Sequence, residues 1–259
     1  MLQTIADRLE FRRTDDGYVR LSQANFADVS VQCARRILAV GCGTGIEVRA
    51  LRRATQPGVV IVGVDHSQLL VDTARRLTAE EGLDDNVTYQ TGDAHQLQYP
   101  DGDFDLVTLH TLISHVDDPL RVLQEARRVV SPRGAVAVLG GDYASLTFGY
   151  RDPKLAKTIE EELRKVMVAN PRVMRDMPRL LHQARLELVE ANGALYANIG
   201  SGAFWANAEA YSAVMSRSAQ LAPAVVEEWR AFQARSVHDH IFFGTSNYYT
   251  YLARRSDEV

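Results

Sequence analysis

The stretch Arg36-Ile37-Leu38-Ala39-Val40-Gly41-Cys42-Gly43-Thr44-Gly45 joins a short apolar run to three glycines at alternate positions. A short apolar run that is bounded by glycine indicates a buried strand of a parallel sheet. The next residues, Ile46–Arg53, carry apolar side chains at helical spacing. Glycine allows a sharp turn and a close approach of a ligand to the backbone, and the helix offers free N–H groups at its start. The stretch therefore predicts a strand, a glycine turn and a helix that meet around a ligand.

A second apolar strand, Val59–Val64, leads into Asp65, which lies 20 residues after Gly45. In nucleotide-binding α/β folds an acid at this place binds the ribose, because a carboxylate accepts hydrogen bonds from both hydroxyls of a cis-diol. The glycine spacing then discriminates between cofactors. A nicotinamide fingerprint needs glycine at position 46, where this chain has Ile46. The pattern disfavours a nicotinamide-dependent oxidoreductase, which stays open as a third interpretation.

The composition is that of a globular protein, with 259 residues, 46% hydrophobic residues and a formal net charge of −4. The length suits one large domain or one domain with a cap, and the acidic balance argues against a nucleic-acid partner. Cys33 and Cys42 form neither a metal-ligand spacing nor a disulfide framework. We find no apolar core of a signal peptide and no run near the ~20 residues of a membrane span, so we expect a cytoplasmic protein without a span.

Strands alternate with helices after Asp65. The pattern predicts strands at 87–91, 104–109 and 135–140, with helices at 67–81 and 118–130 between them. Such alternation implies right-handed crossovers and a parallel sheet, with the ligand site at the carboxyl ends of the strands. The sequence therefore predicts an α/β fold with a doubly wound, Rossmann-like sheet. Asp142, in a predicted turn after the fifth strand, is expected at the same edge.

The remaining segments suggest a lid and a cap. Residues 1–34 are predicted to be helical with a break at Thr14–Gly17, and to form an N-terminal lid over the site. Tyr18 and Phe26 are candidate lid residues, although packing against the sheet explains them equally well. Residues 35–259 form the main domain, with helical insertions at about 152–185 and 205–240. The aromatic residues of the second insertion are more simply explained as core than as a substrate pocket.

This ordered set of motifs resembles the class I S-adenosylmethionine (AdoMet) methyltransferases, and among them the small-molecule group typified by the ubiquinone/menaquinone-biosynthesis methyltransferases. The resemblance covers roughly residues 35–142. It implies a mostly parallel sheet with an antiparallel last strand, from a strand pair at about 186–199 and 241–253. It also implies AdoMet as cofactor and S-adenosylhomocysteine as product. The implied cofactor-binding residues are Gly41, Cys42, Gly43, Gly45, Asp65, His66, Asp93, Ala94 and His110.

One position departs from the family pattern. The family has an acid two residues before the first glycine, which steadies the glycine turn and the methionine amino group, and this chain has Ala39 there. The departure hints at a second interpretation, an AdoMet-binding protein that runs other chemistry, such as a cyclisation. Methyl transfer to a small molecule at oxygen, carbon or nitrogen remains the preferred function.

His110 and Asp142 are the candidate catalytic residues. His110 follows the fourth strand and has an ordinary pKa near neutrality, so it could deprotonate an acceptor or line the methionine part of the cofactor, and we favour lining slightly. The residues after this strand, His110–Ile113, include neither the Pro-Pro motif of nucleobase methyltransferases nor metal-binding carboxylates, which favours a small-molecule acceptor without a metal. The oligomeric state is open, with a homodimer as one option. The candidate substrate residues are Tyr18, His115 and Tyr143, with a packing role preferred for His115.

Overall fold

The computed structural model of the chain describes residues 2–11, 15–24, 31, 33–200, 205, 209, 215 and 220–256. Within these residues, seven strands form one sheet. The strands are β1 Arg36–Val40, β2 Val60–Asp65, β3 Val87–Thr91, β4 Phe104–His110, β5 Val130–Phe148, β6 Leu186–Ile199 and β7 Phe243–Arg255. The helices are α1 Leu2–Phe11, α2 Asp16–Ala24, α3 Ile46–Ala54, α4 Gln68–Glu80, α5 Pro119–Val129, α6 Pro153–Met167, α7 Val173–Gln183 and α8 Pro223–His238.

The strand order across the sheet is β3-β2-β1-β4-β5-β7-β6. The first five strands in this order are parallel, and β7 is antiparallel to both of its neighbours, β5 and β6. The predicted doubly wound sheet with an antiparallel last strand is thus confirmed. The chain order reverses between β1 and β4, and a ligand crevice is expected there, outside the carboxyl ends of the strands.

The two faces of the sheet bury different helices, because successive side chains of a strand point to opposite faces. Leu38 and Val40 of β1 belong to one buried cluster, which also contains residues of α5 and α7. Ile37 and Ala39 belong to another, together with α3 residues such as Leu51. The glycine turn after β1 is therefore held between a fully packed strand and a helix that is packed on the same sheet.

Strand β5 is the main difference from the predicted elements. We expected it to end at Gly140, with a turn at Gly141–Tyr143, and the structure continues it to Phe148. The reason is the long antiparallel partner, since β7 pairs with β5 from Ala135 to Phe148 with one register shift after Asp142. The predicted turn at 131–134 also lies inside β5, next to a register shift against β4.

The helices of the predicted cap belong to two different buried clusters. Helix α7 begins at Val173, and its Met174 and Met177 lie in the main core with α5. Helices α6 and α8 contribute to a separate cluster around Phe148 and Trp229. Outside the described residues lie Phe26, a candidate lid residue, Phe204 and Tyr211, two aromatic residues at the second insertion, and Asn207, near which a helix of that insertion is predicted to start.

Candidate active site

The glycine turn after β1 has a conformation that favours glycine at three positions. Gly41, Gly43 and Gly45 have φ angles of 71°, 54° and 80°, in the left-handed region. The Gly41 and Cys42 N–H groups donate to the carbonyl of Val64 on β2, at 2.7 and 2.9 Å. A Cβ atom on Gly45 would lie 2.5 Å from the hydroxyl of buried Tyr89. The turn is therefore tied to the sheet on one side, and its backbone lines a cavity on the other.

Asp65, the last residue of β2, is held by two backbone donors. Its Oδ2 accepts from the Gly43 N–H at 2.9 Å, and its Oδ1 accepts from the Ser67 N–H at 3.0 Å. The residue is only 7% exposed, although its neighbour His66 has an exposed imidazole with Nδ1 3.3 Å from Oδ1. Each carboxylate oxygen can accept a further hydrogen bond, and Asp65 lines the cavity beside the turn.

Two cavities meet at this turn. The larger holds about 280 Å³ and extends from the glycine turn towards α1, α2 and the end of β4. The smaller holds about 210 Å³ and extends towards Gly92, Asp93 and Ala94 after β3. The residues that line both cavities are Gly41, Asp65, His66, Leu112 and His115. The two cavities thus adjoin at the carboxyl edge of the sheet, and together they form the candidate cleft.

His110 lines the larger cavity, and a polar group lies near each of its two ring nitrogens. Its Nε2 is 3.4 Å from the Tyr18 hydroxyl, and the two rings are stacked at 6.2 Å. Its Nδ1 is 3.8 Å from Oε2 of Glu47, in the first turn of α3. Burial raises the pKa of Glu47 to about 7, and the nearby Thr108 hydroxyl offsets part of this rise. Glu47 therefore changes charge near neutral pH.

Asp93 forms the opposite end of the cleft. Its Oδ1 accepts from the backbone N–H of His95 and lies 2.8 Å from the His95 Nδ1. The hydrogen bond from the His95 backbone, followed by that from the imidazole, lowers the pKa of Asp93. Ala94 follows it in the wall of the smaller cavity. This end therefore offers an ionised acceptor beside a small apolar surface.

Comparisons with known proteins agree with this architecture. A family model described as "Methyltransferase domain" matches residues 38–138, which contain the turn, Asp65, Asp93 and His110. By this match, residues 38–138 are similar to the domain of the class I methyltransferases. AdoMet is the cofactor of this class.

Two curated relatives illustrate the match. The 27-O-demethylrifamycin SV methyltransferase of Amycolatopsis mediterranei is 31% identical over 50% of this chain and 46% of its own length. The demethylmenaquinone methyltransferase of Lactobacillus johnsonii is 32% identical over 44% of this chain and 47% of its own. The chain thus spans about half the length of these relatives.

Solved structures extend the similarity beyond the domain core. A Bacillus halodurans protein that is described as a candidate methyltransferase superposes with a TM-score of 0.64 at 18% identity. The superposition covers 90% of this chain and 98% of that one. At this identity the likeness concerns the fold alone.

The methyltransferase domain brings most of the predicted cofactor residues to one cleft. The residues that line it are Gly41, Cys42, Gly43, Asp65, His66, Asp93, Ala94 and His110. Gly45 lies behind the turn, against Tyr89 and Ala74. Burial raises the pKa of the Cys42 thiol, with the charges of Asp65 and Glu47 adding to the effect, so the turn presents a neutral thiol. Tyr18 and His115 also line the larger cavity.

Asp142 and Tyr143 are not brought into the cleft. Asp142 is fully buried within β5, and its Oδ2 accepts from Nε and Nη2 of Arg175 on α7, at 2.8 and 2.7 Å. The expected place at a strand end is wrong, because β5 continues past it. Tyr143 contacts His115, with the hydroxyl 3.5 Å from Nε2, but lines neither cavity. Asp142 therefore serves an ion pair that ties α7 to the sheet.

Sequence reasoning did not single out Glu47, Thr108 or Leu112. Glu47 stands two residues after the last glycine, in the first helical turn, where an acid is also common for purely electrostatic reasons. The sequence signal that could have identified Glu47 is an acidic residue in the first turn of the helix that follows the apolar strand β1. Among the described residues, no group of three or more His, Cys, Asp or Glu could hold a metal ion, and no helix has the length and apolar character to cross a membrane.

Proposed function

We propose that this protein transfers a methyl group from AdoMet to a small-molecule acceptor at oxygen, carbon or nitrogen. The observation that carries the proposal is the glycine turn with Asp65 hydrogen-bonded to Gly43, at the junction of two cavities. The two curated relatives support a small acceptor, because both are named for methyl transfer to small molecules.

The residues of the cleft fit the cofactor. In this proposal Asp65 accepts from the ribose hydroxyls, and Asp93 and Ala94 contact the adenine in the smaller cavity. The larger cavity, with the uncovered backbone of Gly43, is left for the methionine part. AdoMet supplies a methyl group that is already activated on a sulfonium. The chain's own task is therefore to hold donor and acceptor in line and to exclude water.

The walls of the larger cavity indicate an acceptor with an apolar part. The apolar lining residues are Ile5, Leu9, Ile46, Leu70 and Leu112. We propose that the reaction needs no metal, since His110–Ile113 after β4 supply no carboxylate. His110 contributes by lining the cavity, because both of its ring nitrogens face protein groups, Tyr18 and Glu47.

The N-terminal helices are proposed as a lid over this cavity. Ile5 and Leu9 of α1 and Tyr18 of α2 form part of its wall. The two helices are anchored by separate contacts. Glu10 pairs with Arg49 of α3 at 2.8 Å, and Asp15 accepts from the amide of Asn198 on β6 at 3.2 Å. The acceptor would then be enclosed between these helices and the sheet edge.

Cofactor binding and turnover test the proposal separately. Calorimetry with AdoMet and with NAD should show binding of AdoMet alone. A panel of phenols, amines and quinols should then include acceptors that convert AdoMet to S-adenosylhomocysteine. Absence of AdoMet binding refutes the proposal. Binding with product formation but without S-adenosylhomocysteine would instead indicate the non-methylating chemistry.

A further inference from the structure

Glu47 is a buried carboxylate whose charge is not balanced by the described part of the chain. The residue is 8% exposed and lies in the first turn of α3. Among the described residues, no Lys or Arg forms an ion pair with it, and its one cationic neighbour is His110 at 3.8 Å, which is charged only when protonated. Burying an ionised carboxylate without a partner is costly, so such a group usually has a counterion.

The groups around Glu47 do not supply that counterion. Cys42 faces it from the glycine turn, and Thr108 and His110 face it from β4, with Tyr18 of α2 behind the imidazole. Arg49, on the same helix, has its own partners in Glu10 and Glu81. Glu47 also lines the larger cavity. The side chain is therefore open towards a ligand rather than closed within the protein.

We infer that Glu47 binds the ammonium group at the amino-acid end of the cofactor. The inference rests on the proposed function. The larger cavity has two carboxylates among its lining residues, Asp65 and Glu47. Asp65 stands where the two cavities join, which suits the sugar in the middle of AdoMet. Glu47 lines the larger cavity and not the smaller one, beside His110, which suits the positive charge at the end of the ligand.

Strand β1 leaves the space that this arrangement needs. Ala39 is fully buried and pairs with Thr108 across the sheet, and Thr108 in turn pairs with Ala137. Of these small side chains, Thr108 interacts with the Glu47 carboxylate. A cavity of about 20 Å³, lined by Glu47, Thr108, Ala137 and His110 among others, remains next to the carboxylate. The negative charge for the ligand thus comes from α3 rather than from β1.

Calorimetry with two ligands tests the inference. S-adenosylhomocysteine carries the amino-acid end, and 5′-methylthioadenosine has the same adenosine and thioether without it. We expect Glu47→Gln to weaken S-adenosylhomocysteine binding by about 10- to 100-fold, the loss of one hydrogen bond between charged groups, and to leave 5′-methylthioadenosine binding unchanged. Glu162→Gln, at a glutamate that is 7% exposed and paired with Lys165 on α6, is the matched control and should change neither.

A pH series adds a second readout. Wild-type affinity for S-adenosylhomocysteine should rise as the pH rises through about 7, where Glu47 ionises, and affinity for 5′-methylthioadenosine should not follow it. The slope should vanish in Glu47→Gln. A slope that persists there would assign the pH dependence to another group and contradict the inference.

The outcomes separate this inference from the proposed function. Equal losses for both ligands, or no loss for either, would overturn the role of Glu47 while cofactor binding stands. Failure of the wild-type chain to bind either ligand would refute the proposed function itself. Circular dichroism checks the fold of the variant, and Glu47→Met, which removes the charge at similar length, gives the same comparison if the amide variant folds poorly.

Discussion

Replacement of Asp65 by Ala tests both the fold of the site and its ligand. In the structure the carboxylate accepts from the Gly43 N–H at 2.9 Å and from the Ser67 N–H at 3.0 Å. Its removal should therefore loosen the glycine turn and the start of α4 even without a cofactor. It should also remove the proposed acceptor for the ribose hydroxyls, so two separate effects are expected.

The magnitudes follow from the two sets of hydrogen bonds. Two hydrogen bonds to a charged group contribute about 3–6 kcal/mol together. The Gly43 and Ser67 N–H groups lie near the cavity and can bind water instead, so the free energy of unfolding should fall by less, about 1–3 kcal/mol. The ribose contacts should account for a further ~1.5–3 kcal/mol of AdoMet affinity, which is about a 10- to 150-fold rise in the dissociation constant.

Thermal unfolding and calorimetry measure the two effects on the same variant. Asp72→Ala, at an exposed aspartate on α4 that contacts Gln68 and Arg75, is the control and should leave cofactor affinity unchanged. Asp65→Asn should recover part of the stability, because the amide oxygen can replace one acceptor. An Asp65→Ala variant with wild-type affinity would refute the ribose assignment, and one with wild-type stability would refute the anchoring of the turn.

Three further variants test the neighbourhood of the turn. Gly43→Val should abolish AdoMet binding, as measured by calorimetry, while circular dichroism shows that the fold is retained. The reason is that a β-branched residue is strained by ~1–3 kcal/mol at a φ of 54°. Normal binding would mean that the glycine turn does not bind the cofactor. Ala39→Asp should lower the melting temperature, because it buries a carboxylate at a cost of several kcal/mol. The loss should be larger at pH 8 than at pH 5, because the buried group is charged at the higher pH. A stable variant with tighter AdoMet binding would contradict this. His110→Ala should raise the KM for AdoMet while the pH profile of kcat keeps its shape, and a 10²–10⁴-fold fall in kcat with loss of the acid limb would instead identify a general base.

Local sequence patterns were sufficient for the central part of the fold. The glycine turn, the strands on both sides of it and Asp65 could be predicted because each depends on neighbours in the chain. The capped helix starts are of the same kind, since the Asp118 carboxylate accepts from the Arg121 N–H and Asp152 accepts from the N–H groups of Lys154 and Leu155. Each feature needs only a few consecutive residues, and each was found at its predicted place.

The length of β5 could not be obtained in this way. Glycine at 140 and 141 indicates a turn when it is taken locally, yet these residues pair with Tyr249 and Tyr248 of β7. That partner lies about a hundred residues further along the chain, and its register decides how far β5 continues. The same pairing moves Asp142 from an expected loop into the sheet. The structure therefore gives no support to a catalytic role for Asp142, because β5 continues past this residue and keeps it inside the sheet.

Glu47 and Arg49 show why buried charges need structural context. Both lie on α3, and both are almost fully buried. Arg49 donates to the carbonyl of Thr44 and pairs with Glu10 of α1 and Glu81 after α4, so its burial is explained by the protein and helps to hold the N-terminal helix over the cavity. Glu47 lines that cavity, and its one neighbour that can carry a positive charge is His110, which is charged only when protonated. Arg49 is thus neutralised by glutamates of the chain, whereas Glu47 lines the cleft. We therefore expect the counterion of Glu47 to come from the ligand.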